Sequence, residues 1–326
     1  DHRMLNDSGV RTFFRTAPQP QHWRVAFGLL VMLTFSKVLL ITWLWPPIEA
    51  DKLYPQHGVF FIMAGDTRSF LEPHENLANE GKYYWTNQVG ETIRAGRVPY
   101  YGAPFFFARV MGASFHMALE FQALFQVLLY SLAAWMLLRL CVEFAPSKRL
   151  AFYTAFLLLC ADFAGPYWSA KLLSDGPAAS LMLIGIYCIT RRGFAPRLGQ
   201  LLLAGLTLGL ATVLRPFLLL LPMAAGAWLI ASEIRRAGPL RSLKRAMALG
   251  LPVLLLLAPW IVRNYMIFDR FVPLQQNTVA GYYYTDAEMG FRDFAQSVGG
   301  SLVFWNSEAM SCYFQPKFNN PCNYTV

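Results

Sequence analysis

Apolar runs of about 20 residues recur along this chain, and a run of that length is either a membrane-crossing helix or the centre of a large soluble core. The first covers 27–45, FGLLVMLTFSKVLLITWLW, and the second covers 118–140. Others follow at about 150–164, 177–190, 199–214, 217–232 and 246–267. Composition decides between the two alternatives. With 56% hydrophobic and only 14% charged residues, the chain has too little polar surface to enclose a soluble core of this size. In hydrocarbon each span must satisfy its own backbone hydrogen bonds, which makes every run a helix. The expected fold is an all-α integral membrane protein with about seven transmembrane helices. The third to sixth runs are short enough to be tilted, broken or only partly inserted. The first run lacks a small-residue cleavage site, so it is expected to remain as an anchor.

Charge sets the expected orientation. Lys148 and Arg149, then Arg191, Arg192 and Arg197, then Arg235, Arg236, Arg241, Lys244 and Arg245 occupy alternate loops. Positive loops stay in the cytoplasm. Together with Arg3, Arg11, Arg15 and Arg24, they predict a cytoplasmic segment at 1–23 and a transmembrane domain at 24–267. They also predict an extracytoplasmic loop at 46–117 and an extracytoplasmic C-terminal segment at 268–326. The expected location is the inner (plasma) membrane of a bacterium. The 28 Lys and Arg against 19 Asp and Glu lie beside apolar runs rather than on one polar face, which argues for membrane lipids and against nucleic acid. Within 46–117, Phe70, Leu71 and Leu77 alternate with Glu72, Glu75 and Glu80 as in an amphipathic helix on the outer surface, and the Phe-rich stretch 104–115 reads likewise.

Cys141, Cys160 and Cys188 stand singly in or beside apolar segments, whereas Cys312 and Cys322 share the polar tail and read either as a pair or as two free thiols. His57, His74 and His116 lack ligand spacing, so they nominate no metal. A Gly-rich phosphate loop and a Ser-His-Asp arrangement are both absent, which removes nucleotide-driven pumps and hydrolases of those types.

Most acids fall on the predicted outer side. Asp66, in GDTRSFLEP, reads equally as a helix cap and as an acid held for chemistry. Asp175, in SDGP, precedes a proline suited to a first helical turn, so capping explains it, yet an acid at the mouth of a span can also serve catalysis. Arg215-Pro216 puts a guanidinium at a tight turn between apolar runs, where it either snorkels to water or meets a phosphate. Arg263 poses the same choice at the end of the last span. Lys37, Glu120 and Asp162 lie in or near spans, and an ion pair among them is the expectation.

Asp66, LANEGKYY (77–84), LLSDGPAASLMLIGIY (172–187), LRPFLLLLP (214–222) and APWIVRNYMIFDRFVPL (258–274) together resemble the GT-C membrane glycosyltransferases. Protein O-mannosyltransferases and aminoarabinose lipid A transferases are branches of that superfamily. The resemblance covers about 24–280. It implies inverting transfer of a sugar from a polyprenyl-phosphate carrier to a lipid, glycan or protein acceptor on the extracytoplasmic face, with Asp66 as general base. Asp175 would orient the acceptor or the base. Arg215, with Lys82, Lys171 or Arg263, would hold the donor phosphate, and a divalent metal is left open. Thr67 follows Asp66 where some branches carry a second acid, and Asp175 stands where Glu is more frequent. The resemblance further implies spans, and often a soluble domain, beyond this segment. A lipid-linked-sugar flippase or small-solute transporter is the competing reading, although mid-membrane polar residues other than Lys37 are few.

Overall fold

The structure is a computed structural model that describes residues 17–44, 58–63, 66–86, 92–94, 97–194, 196–269, 271–273, 278–279 and 282–283, with backbone alone at 192–194, 235–237, 278–279 and 282–283. Sequence expectations on residues 1–16, Trp45, His57, Cys312, Cys322 and the side chains of Arg192, Arg235 and Arg236 lie outside the described residues.

Helix dominates. The chain forms α1 (Pro20–Leu44), α2 (Thr67–Glu80), α3 (Ala103–Val110), α4 (Phe115–Phe144), α5 (Lys148–Ala161), α6 (Ala164–Ala170) and α7 (Asp175–Phe194). After these come α8 (Leu198–Leu214), a 3-10 turn (Pro216–Leu219), α9 (Leu220–Ala237) and α10 (Pro239–Phe268). The strands are short antiparallel pairs. β1 (Trp85–Thr86) meets β2 (Thr92–Ile93) with Trp85 opposite Ile93, and β3 (Thr278–Val279) meets β4 (Tyr282–Tyr283).

Each of the seven apolar runs coincides with a helix, but they are not equivalent spans. Among the described residues four helices are long and apolar enough to cross a membrane: α1, α4, α10 and the 3-10 turn joined to α9. A fifth arises if α5 and α6, bent by 49° at their junction, form one broken span. The shorter α8, Leu198–Leu214, is also apolar. Large side chains such as Met32, Leu157, Leu254 and Leu220 are exposed on the bundle's outer faces. Apolar surface of that extent suits lipid and not water. The protein is an all-α integral membrane protein.

Its core is a bundle in which α4 packs on α1 and α7, α7 on α8, α8 on α10, and α10 on α9. Lipid gives helices little hydrophobic reason to associate, so close approach by small residues matters. Gly205 and Gly209, four apart on α8, provide it. A Cβ at Gly205 would collide with the Leu249 carbonyl oxygen, and one at Gly209 would lie 3.1 Å from the Val253 Cα.

The break between α5 and α6 explains Lys37. Its ammonium donates to the carbonyls of Cys160 at 2.6 Å, Asp162 at 2.6 Å and Leu159 at 3.4 Å, and lies 4.9 Å from the centroid of the Phe163 ring. The last carbonyls of a helix have no partner within it and carry its negative dipole end, so a buried cation fits there. The ion pair expected among Lys37, Glu120 and Asp162 therefore does not form. Asp162 instead accepts from the Tyr130 hydroxyl and the Ala164 and Gly165 amides, and Glu120 accepts from the Val59 and Phe60 amides.

The segment between α1 and α4 folds onto one end of the bundle. Phe70 and Leu71 on α2 are buried with Tyr101, Phe105, Leu119 and Leu172. Glu72 is also buried, contrary to the amphipathic reading, because Arg68 pairs with it and the Thr86 amide donates to it. Ile62 bridges to Lys171 in parallel, and the Tyr100 hydroxyl donates to the Leu256 carbonyl of α10.

Candidate active site

Four elements converge where this loop meets the bundle. The start of α2 carries Asp66, the strand-free run before α3 carries Arg97, α7 begins at Asp175, and Arg215 sits between α8 and the 3-10 turn. Arg97 and Arg215 line one cavity of about 310 Å³ with Phe70, Tyr101, Leu214 and Phe217.

Each guanidinium is held by one carboxylate. Arg97 donates to Asp66 at 3.2 Å and to the Ser69 hydroxyl at 3.2 Å, with its carbon 4.2 Å from the centroid of the Phe70 ring. Arg215 donates to Asp175. Burial pushes the Arg97 guanidinium below its ordinary pKa, Asp66 pulls it back up, and Arg215 pushes it down again. The last effect records how close the two cations lie. Arg215 commits one terminal nitrogen to Asp175, yet its Nε is buried without a hydrogen-bond partner among the described residues. The hydroxyl of Ser174, the residue before Asp175, is buried and without a hydrogen-bond partner among the described residues too. An orphaned donor of this kind costs about 1–3 kcal/mol until an acceptor reaches it.

Asp66 occupies the cap position of α2, but its side chain makes no cap hydrogen bond. Its carboxylate is mostly exposed and turned to Arg97, while its backbone carbonyl accepts from the Ser69 hydroxyl. Asp175 is the first residue of α7 rather than the residue before it. Capping thus accounts for neither side chain fully.

The structure brings together Asp66, Asp175 and Arg215 from the sequence candidates and adds Arg97, which sequence reasoning missed. Its only sequence signal is a cation before Val98-Pro99-Tyr100 in the loop between the first two apolar runs. The other candidates stand off the cavity wall. Lys82 is exposed, and the Lys171 ammonium lies 4.4 Å from the ring centroid of Tyr167 and 4.9 Å from that of Trp168. Arg263 donates to the Tyr83 carbonyl at 3.1 Å and packs 4.5 Å from the centroid of the Trp260 ring. Behind the wall, Tyr83 packs edge-on against Trp260 and His74 and donates to the Arg97 carbonyl at 3.2 Å. Burial raises its phenol pKa. Among the described residues no group of three or more His, Cys, Asp or Glu is arranged to hold a metal.

The geometry is a membrane bundle with two arginines lining a cavity at one end, each paired with a carboxylate. Residues 103–262, which include Asp175 and Arg215 and follow Asp66 and Arg97, match the family model for dolichyl-phosphate-mannose-protein mannosyltransferase. That match bears out the resemblance to the GT-C superfamily of membrane glycosyltransferases. No curated protein and no solved structure matches it.

Proposed function

We propose that the chain transfers a sugar from a polyprenyl-phosphate carrier to an acceptor on the extracytoplasmic face of the membrane, with inversion at the anomeric carbon. The observation that carries this reading is the shared cavity of Arg97 and Arg215, each backed by a carboxylate and one retaining a buried, unpartnered N–H. The donor phosphodiester bears one negative charge, and the departing polyprenyl phosphate gains a second. Two guanidiniums facing that oxygen favour the transition state over the ground state.

In the proposed step an acceptor hydroxyl or amine attacks the anomeric carbon as its proton passes to Asp66. The anomeric carbon–oxygen bond breaks, and its electron pair stays on the phosphate oxygen. Arg97 gives this step an order. Arg97 pairs with Asp66, and a phosphate competing for the guanidinium would release that carboxylate to act as base. Asp175 holds the Arg215 fork in place. The lipid-facing apolar surface around Phe217 suits the prenyl chain, so the head group alone enters the cavity.

Transfer of a radiolabelled sugar from a polyprenyl-phosphate donor tests the reading, with Asp66→Asn in parallel. Loss of roughly 10²–10⁴-fold is expected of a missing general base, whereas full transfer by the variant removes Asp66 from that role. Orientation is tested separately in a background without the native cysteines. Lys82→Cys is expected to react with an impermeant thiol reagent applied outside, and Pro146→Cys to be protected. The reverse pattern would refute the assigned face.

A further inference from the structure

A second cavity, of about 510 Å³, opens between α1 and α4, lined by Trp23, Arg24 and Phe27 on one side and Leu132, Trp135 and Arg139 on the other. It lies at the far end of α4 from the candidate active site. Ala118 packs with Phe70 and Tyr101 at the site end, and the helix from there to Arg139 rises about 32 Å at 1.5 Å per residue. That rise matches the hydrocarbon thickness of a bilayer.

The cavity combines two kinds of wall. Phe27, Leu132 and the two indoles are apolar, whereas Arg24 and Arg139 bring two positive charges. The Arg139 guanidinium is gripped between the rings of Trp23 at 5.0 Å and Trp135 at 4.6 Å, which fixes its plane. Among the described residues no carboxylate lies within ion-pair distance of Arg24 or Arg139. Independently, the Trp135 indole N–H is buried and has no hydrogen-bond partner among the described residues. Cations without anions, an orphaned neutral donor and an apolar floor, all at membrane-interface height, call for an amphiphilic acceptor. A soluble anion would leave the apolar floor wet, and a choline head would bring its own cation against two arginines.

We propose that this groove binds one anionic phospholipid in the leaflet opposite the candidate active site. Its phosphodiester sits against Arg24 and Arg139, an oxygen accepts from the Trp135 N–H, and the first acyl segment lies over Phe27 and Leu132. The site is separate from the transfer chemistry and does not depend on it.

Native mass spectrometry of the full chain in micelles, titrated with phosphatidylglycerol or phosphatidylcholine, tests this. Phosphatidylglycerol is expected to bind at least roughly tenfold more tightly. Trp135→Phe keeps a ring beside Arg139 and removes only the N–H, and Arg24→Gln removes one charge. Each is expected to weaken phosphatidylglycerol binding by roughly three- to tenfold, and Arg24→Lys to restore most of it. Unchanged thermal melts of the lipid-free variants guard against unfolding. Equal affinity for the two lipids, displacement by inorganic phosphate alone, or binding lost in Arg215→Ala but kept in Trp135→Phe and Arg24→Gln would each overturn the proposal.

Discussion

Arg97 donates to Asp66 across 31 positions of sequence, and the same guanidinium lines the cavity that Arg215 enters from the other side. The proposed base and the proposed phosphate ligands are therefore coupled through one side chain. Asp66 is 60% exposed at its side chain, so the pair contributes little to folding, about 0–1 kcal/mol for an exposed pair of this kind. Its consequence is expected in activity instead. Arg97→Ala should lower transfer, and the loss of its Ser69 and Phe70 contacts should lower the melting temperature as well. In a double-mutant cycle with Asp66→Asn, the two losses should be less than additive, with a coupling of roughly 0.5–3 kcal/mol in the transition-state free energy. Strict additivity would show that the two side chains act apart.

Arg215→Ala should weaken donor binding more than acceptor binding. Removing a guanidinium that meets a phosphate costs roughly tenfold or more in affinity, and Arg215→Lys should recover only part because an ammonium lacks the planar fork. Steady-state kinetics with each substrate varied in turn reads the difference. Equal losses for donor and acceptor would contradict the phosphate role.

Lys37 makes a prediction about the scaffold alone. Lys37→Met would leave the carbonyls at the α5–α6 break without their donor, and each buried orphan costs about 1–3 kcal/mol. A lower melting temperature in detergent is expected. A Met variant as stable as the parent would mean the break is satisfied by other means.

Gly205→Ala tests helix contact. Its Cβ would meet the backbone oxygen of Leu249, which cannot swing aside as a side chain can, so α8 and α10 must separate. Overpacking of this order costs about 1–3 kcal/mol. The same change at Gly199, where a Cβ meets nothing within 4 Å, should be close to neutral. Parallel thermal melts compare the two.

His74 gives the loop a pH dependence. Burial pushes its imidazole below the ordinary 6.5, opposed by the carbonyls of Pro99 and Phe70. The unfolded chain then binds more protons than the folded one below 6.5, so stability is full above 6.5 and falls as pH drops toward the folded value. His74→Gln should flatten the fall in melting temperature between neutral and mildly acidic buffer. An unchanged slope would assign the acid sensitivity to other groups.

The sequence by itself determined the solvent and the helical class, and it nominated Asp66, Asp175 and Arg215 beside Lys82, Lys171 and Arg263, because hydropathy and local turn chemistry are properties of neighbouring residues. Hydropathy could not separate an intact span from one bent between α5 and α6, since both are equally apolar. Nor could it find that Lys37 meets carbonyls rather than carboxylates, or that Glu72 turns inward. Arg97 is the clearest case: nothing near it in the chain points to Asp66, and only the packing of the first loop onto α4 and α10 brings them together. Long-range contacts between polar groups depend on where whole helices come to rest, and packing, not any short stretch of residues, sets that.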